Sequence, residues 1–242
     1  MENDLIVKEW KENGFVRIEN LLDHNDIKLV SDWYDAMLSD LNLTRDHRRD
    51  LLNEGEKGKE KITQIMRPSL LDDRFMDSDI IKKVEEIAKI IIGEDAALDF
   101  DMLINKVPHS NAETPWHQDM AYWPQLEDKR AASFWIAIDD AVVENGCMAY
   151  IPGSHKLPMR LHVQKIENAA LSTNIEHHDV IVNGELKSGS SIAHHGNTMH
   201  FANGNVSDRN RRAWILNFRP QSMIKKMRSL GYDHLGKKKN KS

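Results

Sequence analysis

The sequence predicts a mainly β protein with flanking helices gathered at its N-terminal end. Two observations carry that reading. Apolar stripes at helical spacing are confined to the first hundred residues, and from Leu98 onward hydrophobicity alternates with a period of two. Short apolar runs are then punctuated by Asn-Gly and Pro-Gly turns. Many short strands joined in this way suit a double-stranded β-helix, the cupin-like jelly roll, with helices buttressing one of its sheets. The 242 residues are read as one domain: 1–97 a mostly helical buttress, 98–219 the jelly-roll core, and 220–242 a C-terminal tail.

The elements follow in order. In "LLDHNDIKLVSDWYDAML" the polar cluster Asp23 to Asp26 precedes apolar residues at helical spacing, so Asn25 or Asp26 is expected to cap a helix. The polar, glycine-bearing run "TRDHRRDLLNEGEKGKEK" reads as a mobile loop near residues 44–60, leading into a strand "ITQIM". Ser78 is a credible N-cap for "SDIIKKVEEIAKIIIGE", where Ile80, Ile81, Val84, Ile87, Ala88 and Ile91 form one stripe that Gly93 ends. The first core strand alternates Leu98, Phe100, Met102 and Ile104 with Asp99, Asp101, Leu103 and Asn105. Further strands are expected at 133–138, 147–151, 180–182, 190–194 and 212–218.

Composition narrows the function classes. Hydrophobic residues at 40% and charged residues at 29% are ordinary globular values. A net charge of -5 gives no electrostatic case for nucleic acid. A charged N-terminus and the lack of a run of ~20 apolar residues speak against a signal peptide and a membrane span. The single cysteine, Cys147, is compatible with a reducing compartment, so the expectation is a cytoplasmic protein acting on a small molecule. The basic run "GKKKNKS" at the end reads as a solvated tail.

The stretch "TPWHQDMAYWP" sets His117 and Asp119 one residue apart, a spacing that on a strand projects both side chains to one face, where they could grip one ion. The pattern alone is weak, since 12 His and 22 Asp predict about one chance occurrence. Three occur. His24/Asp26 is explained by helix capping, and His177/Asp179 falls in "EHHDVIVNGE", read as an edge or surface strand ending at the Asn183-Gly184 turn. A third ligand would have to come from downstream, where His155, His162, His177, His178, His194, His195, His200 and His234 are available.

Taken in order, "MLINKVP", "TPWHQDMAYWP", "FWIAI", "NGCMAYIPGSHK" and "HFANGNVSDRNRRA" resemble the phytanoyl-CoA dioxygenase family of iron(II)- and 2-oxoglutarate-dependent oxygenases, and "WKENGFVRIENLLDHNDI" resembles that family's opening. The likeness runs from about residue 8 to residue 219. It implies that His117, Asp119 and His200 ligate Fe(II), and that Arg211 binds the distal carboxylate of 2-oxoglutarate. It also implies that Lys106 and Trp135 line the co-substrate pocket and that O2 is consumed. Ala202 departs from the family, which often has a small hydroxyl residue there.

Physical chemistry agrees with this assignment. Two imidazoles and a carboxylate on one face of iron(II) leave positions open for a chelating keto acid and oxygen. A planar guanidinium can bind a carboxylate through two parallel charge-assisted bonds. Arg211 and Arg212 are adjacent on a strand, so only one can face inward; Arg211 matches the family's position, and Arg212 is expected to meet solvent or an acidic neighbour. His194 and His195 read as strand filler, with one of them a possible support of the metal ligands.

The resemblance implies hydroxylation with release of succinate and carbon dioxide. It speaks against halogenation, since halogenases on this scaffold carry a small residue where this chain has Asp119. Two rivals are a zinc-dependent hydrolase using the same triad and a non-catalytic jelly-roll binding protein. Substrate-contacting residues are expected within 44–70, 120–130 and 156–176.

Overall fold

A computed structural model describes residues 2–52, 59–165 and 169–235. The chain begins with α1 (Glu2–Asn13), β1 (Phe15–Ile18), α2 (His24–Ser39), β2 (Arg48–Asp50) and β3 (Ile62–Met66). It continues through α3 (Arg74–Asp77), α4 (Asp79–Ile92), β4 (Ala96–Lys106), β5 (Thr114–His117), β6 (Ala132–Ala137) and β7 (Met148–Tyr150). The remainder is β8 (Val163–Gln164), β9 (Leu171–Ser172), β10 (Val182–Gly184), β11 (Ser191–His195), β12 (His200–Ala202), β13 (Arg211–Pro220) and α5 (Gln221–Ser229).

Two antiparallel sheets make the jelly roll. The larger has the order β1-β11-β6-β13-β4-β3-β2, and the smaller β10-β7-β12-β5. The large sheet is covered on both faces, which explains why β13 is buried almost throughout and reads as a near-continuous apolar run. Trp214, Leu216 and Phe218 point out to the helices, packing with Val30, Trp33, Tyr34, Ile80 and Val84. Ala213 and Ile215 point the other way and meet Met148, Tyr150 and Ala202 of the small sheet. No helix among the described residues is long and apolar enough to cross a membrane.

Several local expectations need correction. The cap of α2 is Asp23, whose side chain accepts from the Asp26 backbone N–H at 2.8 Å, while Asp26 returns a bond to Asp23. Asp23 and Asp26 therefore form a capping box, with the cap two to three residues earlier than expected and without His24. Ser78 stands at the start of α4 without making a side-chain cap bond. The N-terminal part is not only helical, because β1 and β2 extend the large sheet at opposite edges.

Strand β2 lies inside the segment expected to be a loop. It is held there by the buried Arg48–Glu60 ion pair at 2.9 Å and by Arg48 donating to the Leu38 carbonyl at 2.7 Å. Residues 53–58 of that segment lie outside the described residues, as does the terminal run 236–242. Residues 177–179 form no strand; Asp179 instead accepts a bidentate pair from Arg160 at 2.7 and 2.8 Å. The expected tail contains α5.

The "ENG" turn before β7 shows why glycine is required there. Gly146 has φ of +81°, and a Cβ would collide with the backbone carbonyl oxygen of Asn203. Gly146→Ala is expected to destabilise the fold by more than about 1 kcal/mol, read as a lowered denaturation midpoint at unchanged m.

Candidate metal centre and its cavity

The jelly roll brings together three side chains that lie far apart in sequence. His117 ends β5, and His200 begins β12, directly opposite it in the ladder. Asp119 opens the 3-10 turn that follows β5. His117 Nε2 and His200 Nε2 stand 3.6 and 3.5 Å from Asp119 Oδ1, and the three donor atoms lie within 4.8 Å of one another.

The tautomers follow from the backbone. His117 Nδ1 lies 2.7 Å from the Pro115 carbonyl, and His200 Nδ1 lies 2.8 Å from that of Thr198. A carbonyl can only accept, so both Nδ1 atoms carry the proton and both Nε2 lone pairs face Asp119 Oδ1. The other carboxylate oxygen is already engaged, with His194 Nε2 donating to Asp119 Oδ2 at 3.2 Å and Ser133 at 2.9 Å. One oxygen is thereby fixed and the other left for an ion.

Electrostatics point the same way. Burial, reinforced by the neighbouring His200, pushes the His117 pKa down to about 3, so the ring is neutral. Burial works to raise the Asp119 pKa, but the imidazoles of His200 and His194 outweigh it and hold the carboxyl well below its usual range. Neutral imidazole beside an ionised carboxylate is the protonation state that a divalent cation requires. The donor set therefore fits a ferrous ion.

The triad opens on a cavity of about 430 Å3 between the two sheets. Arg211, at the start of β13, also lines it. This residue is 1% exposed, yet its Nε and Nη1 have no hydrogen-bond partner. Its guanidinium stacks over Trp135 at 4.9 Å, and burial lowers its pKa to about 10. A buried guanidinium with free donors is chemically suited to receive an anion. Arg212 points to the opposite face, where it forms a bidentate pair with Asp139 at 2.9 and 2.7 Å and reaches Asp35 at 2.8 Å. The alternation along β13 separates the two arginines as the sequence predicts.

Trp135 lines the cavity, but Lys106 does not. Lys106 lies opposite Arg211 in the ladder, and its ammonium donates to the carbonyls of Ala112 at 3.0 Å, Ala202 at 2.9 Å and Asn203. All three donors are spent on backbone, and the residue ties β4 to β12 instead of facing a ligand. Ala202 lines the cavity without a hydroxyl, and its cross-strand partner Thr114 lines it too.

Two contributors to the cavity had only weak signals in the sequence. His194 faces inward from β11 because β11 is a ladder strand beside β6, which puts His194 opposite Ser133; a histidine at an inward register position was its only mark. Gly231, Tyr232, Asp233 and His234 roof the cavity after α5, whereas none of the described residues within 156–176 lines it. The roof is fastened by buried Asp99, which pairs with Arg219, Arg228 and His234. Of the aromatic residues beside the motif, Tyr122 and Trp123 line the cavity, while Trp116 stacks on Phe201. Burial raises the Cys147 thiol to about 11, which makes it a packed apolar group.

The family model described as Phytanoyl-CoA dioxygenase (PhyH) matches residues 10–213. The chain belongs to the phytanoyl-CoA dioxygenase family. Among curated family relatives, it is 28% identical over 176 residues to phytanoyl-CoA dioxygenase domain-containing protein 1 of Bos taurus, covering 70% of this chain and 60% of that protein. It is 26% identical over 224 residues to a probable alpha-ketoglutarate-dependent hypophosphite dioxygenase of Stutzerimonas stutzeri, covering 87% of this chain and 76% of that one. The chain thus spans less than two thirds of the bovine relative's length. Among solved structures, EvdO2 from Micromonospora carbonacea var. aurantiaca complexed with 2-oxoglutarate matches with a TM-score of 0.72 at 26% identity, covering 88% of this chain and 89% of that chain.

Proposed function

We propose that this chain is an iron(II)- and 2-oxoglutarate-dependent oxygenase that hydroxylates a small-molecule substrate. The observation that carries the reading is Arg211, a buried guanidinium with unpaired donors in the same cavity as the His117, Asp119 and His200 donor set. A zinc hydrolase built on that triad would not require the buried guanidinium for its chemistry, and a passive binding protein would not require the triad. Family membership and the likeness to a structure holding 2-oxoglutarate support the same choice.

In this reading, His117 and His200 would hold iron(II) through Nε2 and Asp119 would hold it through Oδ1. When bound, iron(II) and 2-oxoglutarate supply the oxidising chemistry, in which O2 is consumed, succinate and carbon dioxide leave, and one oxygen atom enters the substrate. The rest falls to the protein. Arg211 receives the distal carboxylate and Trp135 keeps the guanidinium flat against the wall. Thr114 supplies the hydroxyl that Ala202 lacks. Met102, Ile104 and Ile215 exclude water around the co-substrate. His194 and Ser133 hold Asp119 in one orientation, so that Oδ1 stays aimed between the imidazoles. Because Asp119 occupies the third ligand position, hydroxylation is proposed over halogenation.

Incubating the full chain with iron(II), 2-oxoglutarate and isotopically labelled O2 tests the proposal. Succinate should form only when both iron and 2-oxoglutarate are present, and a stimulating substrate should gain one labelled oxygen atom. Turnover with zinc and without 2-oxoglutarate would overturn the oxygenase, and a chlorinated product in chloride buffer would overturn the hydroxylase.

A further inference from the structure

The cavity holds a second guanidinium that the proposed reaction does not use. Arg49 on β2 stands in register with Gln64 of β3, which stands in register with Ile104 of β4, so one row of side chains crosses the sheet and ends at Arg49. All three line the cavity. Gln64 Oε1 accepts from Arg49 Nε at 2.5 Å, and Nη2 lies 3.4 Å from Met66 Sδ. These contacts aim the group without neutralising it.

No carboxylate among the described residues pairs with Arg49. Among the described residues that line the cavity, the acidic side chains are Asp119, engaged by His194 and Ser133, and Asp233, which accepts from the Leu235 N–H. The ionisable groups that act on Arg49 electrostatically are the phenols of Tyr122 and Tyr232. Their oxygens already have partners, since Tyr122 accepts from the Leu171 N–H at 2.8 Å and Tyr232 donates to the Tyr122 carbonyl at 2.9 Å. Surrounding protein lowers the Arg49 pKa by desolvation, yet the residue is exposed while lining the cavity. A guanidinium in that position remains charged and has no counter-ion among the described residues.

Arg49 is not part of the Arg211 site. β4 and β3 lie between β13 and β2, so the two residues are about three strand spacings apart, roughly 14 Å. Arg211 is closed in at one end and Arg49 is open at the other, with Met66, Phe100, Met102 and Trp123 on the walls of the same cavity. We propose that Arg49 recognises the anionic head group, a carboxylate or a phosphate, of a small substrate whose body is apolar and lies along those four side chains. That this ligand is the substrate rests on the oxygenase reading; that an amphipathic anion binds there does not.

Calorimetry with simple probes tests this. Hexanoate and hexyl phosphate are compared with their neutral counterparts hexanamide and hexanol, using the full chain preloaded with manganese(II) and 2-oxoglutarate. The same titrations into Arg211→Met need no co-substrate. At least one anion should bind at least tenfold more tightly than its neutral counterpart in both backgrounds. Arg49→Gln should erase that preference and Arg49→Lys should keep part of it, with neutral probes unaffected. The anion that is preferred identifies the head group. Equal binding of anions and neutral probes, or a preference that survives Arg49→Gln, overturns the proposal. If 2-oxoglutarate fails to bind the manganese-loaded protein, the oxygenase reading falls instead, and the Arg211→Met arm still decides Arg49.

Discussion

Asp119→Ala is expected to lower iron-dependent succinate formation by more than a hundredfold and to reduce bound iron in parallel, while the fold stays intact. The carboxylate supplies the only anionic donor of the triad, and its Oδ1 is the atom that both Nε2 lone pairs face. Removing it leaves two neutral imidazoles, too few donors to hold a ferrous ion in one geometry. Loss of a residue that merely orients a metal ligand typically costs about 10–100-fold, so loss of the ligand itself should exceed that range. His194→Phe supplies the graded comparison. It removes the bond to Asp119 Oδ2 and leaves Oδ1 in place, so iron affinity should fall within that smaller range.

Stability separates the two explanations for lost activity. Asp119 sits in a 3-10 turn at the rim, and the turn itself is held by backbone bonds from Met120 to Gly196 and from Ala121 to Gln118. The metal-free Asp119→Ala variant should therefore melt close to the wild type. Measuring iron content and the melting midpoint on one preparation decides the matter. Full turnover by the variant would show that the ligand set is wrong.

Much of this site was legible in the sequence because its chemistry lies in local patterns. The ordered motifs carried a family resemblance that supplied His117, Asp119, His200 and Arg211; Asp119 itself lies past the end of β5 in a 3-10 turn, and what strand alternation set is the separation of Arg211 from Arg212. β4, β6, β11 and β13 were legible for the same reason, since their apolar residues either alternate or run continuously. What escaped depended on contacts between segments distant in the chain. β2 reads as the polar string "RRD", and its pairing with β3, braced by Arg48 on Glu60 and the Leu38 carbonyl, makes it a strand. The C-terminal roof reads as a tail, yet Asp99 on β4 binds it through Arg228 and His234 more than a hundred residues later. Lys106 followed the inward register of β4 as expected, but carbonyls from two other segments claimed its ammonium.

Arg211→Met should produce opposite changes in binding and in stability. In the ligand-free protein the guanidinium is buried, two of its nitrogens lack partners, and its depressed pKa reports the cost of keeping it charged there. Replacing such a group with an apolar side chain of similar length removes an uncompensated burial penalty. The ligand-free variant should therefore melt at or above the wild-type midpoint. Its affinity for 2-oxoglutarate should fall roughly 10- to 100-fold, the equivalent of losing charge-assisted hydrogen bonds worth about 1.5–3 kcal/mol. Saturating ligand stabilises a protein by about 2.7 kcal/mol at a hundred times its Kd, so adding 2-oxoglutarate with manganese(II) should raise the wild-type midpoint well above that of the variant. Arg212→Met should behave in the reverse manner. It leaves Asp139 and Asp35 without their cation, so it should lower the midpoint and leave 2-oxoglutarate affinity unchanged. Should Arg212→Met weaken co-substrate binding while Arg211→Met does not, the anion receptor has been placed on the wrong face of β13.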